Sequence, residues 1–452
     1  MLNEENAKAM VNKVLKLSPA RSTEVILKYG DIQLTRFANN AITQSVAENN
    51  LRVAIRVLHQ GKMGRAETNK TDPDSLTNCC EQALHLAKFS SPDPQSLPLP
   101  GRQNYEVSHS FFDSTQACNA AMRARQISDM AARAKSQSAT LAGAHKISLS
   151  STSIGNSQGL FAYNKSSEAT ISVTANRNGA TGASHANANN VQQIQPEALV
   201  DSAIHKALLS EKTIAMPSGD YTVILEPLAV LNLLSSMVID YISHVCPFSG
   251  TALQNKLGFA VGRLGKQIFS QNLTIDDDAY HPLHQGAPFD GEGMPRMPVI
   301  LIYQGILTQL VHSRASALHF GEQSTGHALE LPNPYGAVPL HLVMHGGNST
   351  LDEMIAKTKK GLYITRFWYN RMVDPTHLLL TGMTRDGTFM IEDGKIVCGV
   401  KNMRFNESLF STFQHITELG ESVRTYDEES GRIMVVPPIR VEGFHFSGPA
   451  LR

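Results

Sequence analysis

The residues able to hold a metal or move a proton are spread along this chain, and their spacing decides which chemistry is open to them. A zinc-peptidase helix needs a His followed directly by a Glu, with a second His one turn on. The imidazoles then hold the ion and the carboxylate takes a proton from the attacking water. None of the 17 histidines is followed by Glu. His341 and His345 in HLVMH are spaced as i and i+4, but the segment reads as a strand. At ~3.3 Å per residue they would stand about 13 Å apart, too far to share an ion. A second set is Asp276-Asp277-Asp278 with His281 and His284. Carboxylates and imidazoles suit several divalent ions, so Asp276, Asp278, His281 and His284 are candidate ligands. The alternative is a solvated turn after a strand over 272–275, bent by Pro282. Ser249-Gly250 and Ser324-Thr325-Gly326 form no G-x-S-x-G elbow. His244 and Cys246 would point about 200° apart on a helix, so they make no dyad. No phosphate-binding glycine loop occurs.

The element best placed to carry such groups is a mostly apolar helix bracketed by Pro227 and Pro247, with its body over 228–245. Leu228, Val230, Leu231, Leu233, Leu234, Met237 and Val238 cover most of its circumference, the pattern of a helix buried nearly all round. Asn232, Ser236, Asp240 and His244 recur every four residues and form one polar side. That side is either a place to hang a metal or a catalytic carboxylate, or a hydrogen-bonded, solvated strip.

Composition bounds the rest. A chain of 452 residues with 42% hydrophobic and 18% charged residues is long enough for two or three folded domains. Lys+Arg and Asp+Glu both number 40, so no basic excess is available to grip nucleic-acid phosphates. The start, MLNEENAKAMVNKVLKL, lacks the apolar core of a signal peptide, and polar residues interrupt the most apolar helix, which argues against a membrane span. Five cysteines, two of them adjacent, fit a reducing cytoplasm better than a disulfide framework.

In order, the sequence predicts a helix over 3–17 and then an antiparallel meander with turns at Gly30-Asp31 and Asn39-Asn40. A helix capped by Asp72 follows, then a long helix capped by Asp113 or Ser114 and strands near 139–152 and 160–163. The small-residue stretch 166–195 is either a solvated strand and loop or the lining of a groove. A break at 216–220 separates an N-terminal α+β domain, 1–215, from a C-terminal β-rich domain, 216–452, built around the central helix. In the second domain, 299–311 reads as strand–turn–strand at Gln304-Gly305. RDGTFMIEDGKIVCGV reads as a hairpin series at its two Asp-Gly pairs, and IMVVPPIRVEGFHFSG as an edge-type strand interrupted by prolines.

Several segments add up to a family. RFANNAITQS, IGNSQGLFAY, FSGTALQNK, LGKQIFS, LTIDDD, APFDGEGMPR, LIYQGILTQLV, STGHA, LPNPYG and VEGFHFSG occur in this order along nearly the whole chain. Together they resemble the TldD/PmbA family, once called modulators of DNA gyrase and regarded as zinc metallopeptidases. The family's catalytic branch carries His-Glu-x-x-x-His on the central helix and a later Cys ligand. The corresponding place here, YISHVCPFSG, has neither the Glu nor the second His, and no Cys follows Cys398. The chain therefore resembles the PmbA (TldE-like) branch. The resemblance implies a cytoplasmic, non-catalytic subunit with no zinc of its own. It would form a homodimer, or a heterodimer with a zinc-bearing TldD-like partner, and act on peptides, with no direct nucleic-acid or membrane binding. Asp290, Glu292 and Arg296, with Ser324 and Thr325, are the residues expected to organise the groove or the interface, unless they serve turn and hairpin architecture. Two alternatives are an autonomous peptidase using the Asp276–His284 cluster and a non-proteolytic protein-binding modulator.

Overall fold

The first half of the chain is built from long antiparallel hairpins. Strands Ser22–Ala38 and Ala41–His59 pair around Asn39-Asn40, whose backbones both take positive φ. Asn tolerates that region better than other side-chain-bearing residues, which is why the hairpin turns there. Strand Thr140–Asn156 adds to Ser22–Ala38, followed outward by Phe161–Arg177 and Ala180–Ala188, while Lys62–Thr68 closes the other side. The small residues after 166 are thus strands of this six-stranded sheet. Helices Glu4–Leu17 and Pro73–Phe89 bury Val11, Val14, Leu76 and Ala83 against Val25, Leu27, Val53 and Ile55. Asp72 caps the second of these by accepting from the Ser75 N–H, with Pro73 at the first helical turn. Helices Ala120–Ser136 and Pro196–Leu209 cover the remaining half through Ile127, Met130, Val200 and Ile204. The cap of Ala120–Ser136 is Asn119, not Asp113 or Ser114, which belong to a separate turn, Asp113–Gln116. Asn119 accepts from the Met122 N–H and so restarts the chain as a new helix.

The structure, a computed structural model, describes residues 1–92, 96–238 and 246–450. In its second half, strands Lys360–Asp374, Gly219–Leu225, Ile439–Pro449, Met403–Ser408 and Leu379–Glu392 follow one another in a sheet. The last of these pairs back onto the first, so the five close into a barrel. Phe367, Phe405, Phe444 and Phe446 pack ring on ring in its core. Two expectations are corrected here. Ile439–Pro449 has neighbours on both sides and is no edge strand, because Pro437 and Pro438 precede it and cost it no ladder bond. Only Asp393-Gly394 is a hairpin turn. Asp386-Gly387 sits as a bulge inside Leu379–Glu392, where two residues oppose Thr365 alone.

Helix Pro227–Val238 packs Val230, Leu231, Leu233, Leu234, Met237 and Val238 into the barrel-side core. The rest of the predicted 228–245 helix, including Asp240 and His244, lies outside the described residues. A third sheet runs Ile306–Leu307, Val299–Tyr303, Ile275–Asp277, Leu342–Met344, Arg432–Val436, Val423–Asp427. Its strand Ile275–Asp277 contains acids that the sequence had placed in a turn. The chain is an α+β protein of mostly antiparallel sheets and a closed barrel.

Candidate functional site

Period-two alternation in Ile275–Asp277 buries Asp277 and leaves Asp276 half-exposed. One Asp277 carboxylate oxygen accepts from His327 Nε2–H at 2.8 Å and the other from the His341 backbone N–H at 2.7 Å. His327 Nδ1 lies 2.9 Å from Thr325 Oγ1, and that hydroxyl oxygen accepts from the His312 N–H at 2.8 Å. Burial alone would raise the Asp277 pKa. The His327 imidazole, then His341 and Arg296, outweigh it and hold the carboxyl well below its usual range. An acid, an imidazole and a hydroxyl in series have the outline of a relay, but the hydroxyl is tied to the His312 backbone and the acid and imidazole are closed from solvent.

The FDGEGMPR loop plugs the N-terminal sheet beside this chain of bonds. Phe289 packs among Ile26, Ala54, Ile154 and Leu160, and the Tyr105 hydroxyl donates to the Gly293 carbonyl at 2.8 Å. Gly293 has φ +78°, and a Cβ there would meet Leu160 at 2.9 Å, so no other residue fits without a shift. Asp290 accepts from the N–H groups of Glu292 and Met294, both at 2.9 Å, and of Ala328 at 2.8 Å. Glu292 accepts from the Arg314 N–H at 3.1 Å. Burial, with the neighbouring Asp290 charge, pushes the Glu292 carboxyl up to about 7. Arg296, more than nine-tenths buried, acts by its charge on Asp277, Asp290 and His341. Ser324 and Thr325 both bond the His312 carbonyl. All five residues singled out from the sequence thus sit at one junction between the two halves, Asp290, Glu292 and Arg296 buried and Ser324 and Thr325 half-buried at its margin, and none lines the clefts described below.

A second link across the halves is Glu330. It takes Arg52 at 2.9 Å, and Lys28 and Arg65 pair with it as well. Lys28 and Arg65 outweigh burial and bring its carboxyl down to about 2. Nothing local in the sequence marks Glu330, because these partners come from the other half of the chain. His327 carried a signal, its place in STGHA.

The candidate metal ligands separate. Asp276 bonds His345 Nε2 at 2.6 Å, Asp278 accepts from the Tyr280 N–H at 2.9 Å, and His281 Nδ1 accepts from the Leu283 N–H at 3.3 Å. His284 is buried against the His341 ring, centroids 4.9 Å apart. Among the described residues no three His, Cys, Asp or Glu side chains converge as a metal ion requires.

Open space lies elsewhere. A cleft of about 280 Å³ is lined by Asn232, Ser235 and Ser236 of the central helix and by Trp368, Tyr369 and Arg371. Asn232 Oδ1 accepts from the Phe367 N–H at 3.1 Å, which fixes the helix to strand Lys360–Asp374. That strand bulges between Trp368 and Arg371, and Tyr369 takes φ 58° there. Trp368 stacks on Arg385 at 4.0 Å and Tyr369 on Arg371 at 4.7 Å. A longer groove of about 560 Å³ runs between the N-terminal sheet, at Leu34, Ala144, Ser172 and Ser184, and Leu228 and Arg366 of the second half. Beside it, a cleft of about 180 Å³ holds Lys206 and Glu226, paired at 2.9 Å, and the Tyr363 hydroxyl donates to that Glu226.

Comparison with known proteins decides the family. The model of the PmbA/TldA metallopeptidase C-terminal domain matches residues 218–448, and that of the PmbA/TldA metallopeptidase domain 1 matches 23–87. The chain belongs to the TldD/PmbA family. It is 23% identical over 444 residues to the metalloprotease PmbA of Escherichia coli O157:H7, covering 94% of this chain and 91% of that one. It is 30% identical over 173 residues to a metalloprotease TldD homolog of Buchnera aphidicola subsp. Acyrthosiphon pisum, a match over 37% of this chain and 35% of that one. In fold it is similar to TldE from Thermococcus kodakarensis, with a TM-score of 0.85 at 19% identity, covering 98% of this chain and 100% of that one.

Relatives named metalloproteases imply a metal in the family, with zinc the expected ion. The side chains that the described part of the central helix turns to the cleft are one amide and two hydroxyls, which are poor zinc ligands. The sequence that follows Val238, IDYISHVCPFSG, supplies one Asp, one His and one Cys, with no His-Glu pair and no second His. This donor set does not fit a catalytic zinc with its base, and no catalytic step is assigned to it. Among the described residues no helix is long and apolar enough to cross a membrane.

Proposed function

We propose that this TldD/PmbA-family chain is the zinc-less subunit of a cytoplasmic peptide-cleaving complex. It forms a homodimer alone, or a heterodimer with a zinc-bearing TldD-like subunit. Zinc, activated water and general base come from the partner. This chain supplies groove walls and binds neither nucleic acid nor membrane directly. The observation that carries the reading is the central helix. It stands at an open cleft, as a family peptidase helix would need, yet it offers Asn232, Ser235 and Ser236, and the sequence beyond lacks the Glu and the second His.

The groove supports the peptide part of the reading. Ala183, Ser184 and His185 lie on Ala180–Ala188, the last strand of the N-terminal sheet, and line the groove. Small side chains there leave backbone within reach of an extended chain, the usual way to hold peptides without reading their sequence. The test mixes this chain with a zinc-bearing family relative and follows cleavage of an unstructured peptide. Turnover that needs both chains supports the reading. Turnover by this chain alone overturns it.

A further inference from the structure

The long groove has a direction and an end. Arg36, Ala144, Ser172 and His185 line it and stand in register on four neighbouring strands of the N-terminal sheet. Arg36 is opposite Ala144, Ala144 opposite Ser172, and Ser172 opposite His185. The floor therefore crosses three strand spacings, about 14 Å, the reach of about four residues of extended chain. At the His185 end the groove runs into the cleft of about 180 Å³, because Ala183, Ser184, His185, Leu228, Arg366 and Asp386 line both.

The charges of that cleft do not cancel. Its lining holds three cations, Lys206, Arg366 and Arg424, and two acids, Glu226 and Asp386. Lys206 is spent on Glu226 at 2.9 Å and on the Ala183 carbonyl at 3.4 Å. Glu226 is spent on Lys206 and the Tyr363 hydroxyl. Asp386 is divided between Arg366 at 3.5 Å and Arg385 at 3.8 Å. Arg366 is left with long contacts only, the other being Glu429 at 4.0 Å, and its buried Nε bonds nothing. Arg424 bonds uncharged oxygens, the side-chain amides of Asn187 and Asn189 and the Leu283 carbonyl. Burial, opposed by the Glu168 charge, pushes its guanidinium down to about 10, as happens to a cation short of counter-charge. Pro227 and Leu228, at the start of the central helix, complete the wall, and a helix start also favours negative charge.

Guanidiniums drawn out of water need an anion beside them. We propose that this cleft takes the free C-terminal carboxylate of a peptide, recognised by Arg366 and Arg424, while the preceding residues lie extended in the groove. A terminal carboxylate is ionised at neutral pH, and its planar pair of oxygens matches the donors of a guanidinium. A free anion would meet the same cations but leave the small-residue floor of the groove unused. Recognition of the end fixes the peptide's register, so the site selects free peptide ends over internal stretches of a folded chain. This placement rests on the peptide reading above and adds which part of the peptide is recognised.

The test is fluorescence anisotropy of the full chain with two unstructured pentapeptides labelled at the N-terminus, one ending in a free carboxylate and the other in an amide. The parent protein is expected to bind the acid about 10- to 100-fold tighter, the range of hydrogen bonds to a charged group. Arg366→Gln should bring acid binding down to the level of the amide with an unchanged melting temperature, because Arg366 makes only long contacts. Arg366→Lys should keep part of the preference. Equal binding of acid and amide by the parent overturns the carboxylate site and leaves the peptide groove standing. A preference that survives Arg366→Gln overturns its place in this cleft. N-acetylalanine that competes as tightly as the pentapeptide acid overturns the peptide end in favour of a free small acid. If neither peptide binds, the peptide reading falls together with the site.

Discussion

The junction around Asp277 and the cleft over the central helix differ in what they hold and in what can reach them. The junction concentrates carboxylates, imidazoles and a buried guanidinium, with Asp277 held low, His341 at about 3 and Glu292 at about 7. Yet its hydrogen bonds run to backbone or among its own side chains, and its charged groups are buried. The cleft has about 280 Å³ of open space, but its helix contributes an amide and hydroxyls. Perturbed titration often marks active sites, because both burial and charge pairing are at work there. Here the same forces mark the joint between two halves of a fold. The open surface is left to groups that bind without transferring protons.

Breaking the junction should cost the most. Asp277→Asn leaves His327 buried without its carboxylate and should lower stability by about 3–5 kcal/mol in urea unfolding. The Asp277 pKa is depressed in the folded state, so its contribution is present above the ordinary carboxylate pKa and lost as pH falls below it. The variant should therefore unfold with a shallower acid limb. Next in size is Glu330→Gln, which leaves Lys28, Arg52 and Arg65 crowded without their acid. It should cost about 2 kcal/mol and loosen the two halves, read as faster hydrogen exchange at the facing strands. Glu292→Gln runs the other way. The folded pKa of Glu292 is raised, so its stabilising share is full below about 4.5 and is lost as pH climbs through about 7. The Gln variant should lose this decline and be about 1–3 kcal/mol more stable than the parent at pH 8, with little difference at pH 5.

The smallest effect on stability belongs to the cleft. Ser236→Ala should stay within about 0.5 kcal/mol of the parent. Trp368→Ala should spare the fold but reduce peptide cleavage in the complex with a zinc-bearing relative, because the indole is part of the cleft wall. If Trp368→Ala left that cleavage untouched while Asp277→Asn in a still-folded protein abolished it, the roles of the two regions would be reversed.

Much of the fold was legible because local chemistry and pattern agree. Asn39-Asn40, Gln304-Gly305 and Asp393-Gly394 turn where residues that tolerate positive φ interrupt apolar alternation. HLVMH reads as a strand and contains one, Leu342–Met344. Of the two readings of the polar side of the central helix, the hydrogen-bonded strip fits Asn232, which is bonded to Phe367. What stayed hidden depends on distant partners. Three consecutive aspartates look like a turn until the strands Val299–Tyr303 and Leu342–Met344 flank them and drive Asp277 inward. Glu330 is an ordinary acid until Arg52 and Arg65 arrive from the other half. The FDGEGMPR loop reads as turn chemistry, and it is that, but its role as a plug needs the hydrophobic socket around Ile154 and Leu160.

The central claim is that this chain carries no catalytic zinc of its own. The most direct test is elemental analysis of the purified full-length protein after mild desalting, with a peptidase assay on the same sample. The account predicts zinc far below one ion per chain and no turnover until a zinc-bearing relative is added. About one tightly bound zinc per chain, with turnover that a chelator abolishes and zinc restores, would contradict it.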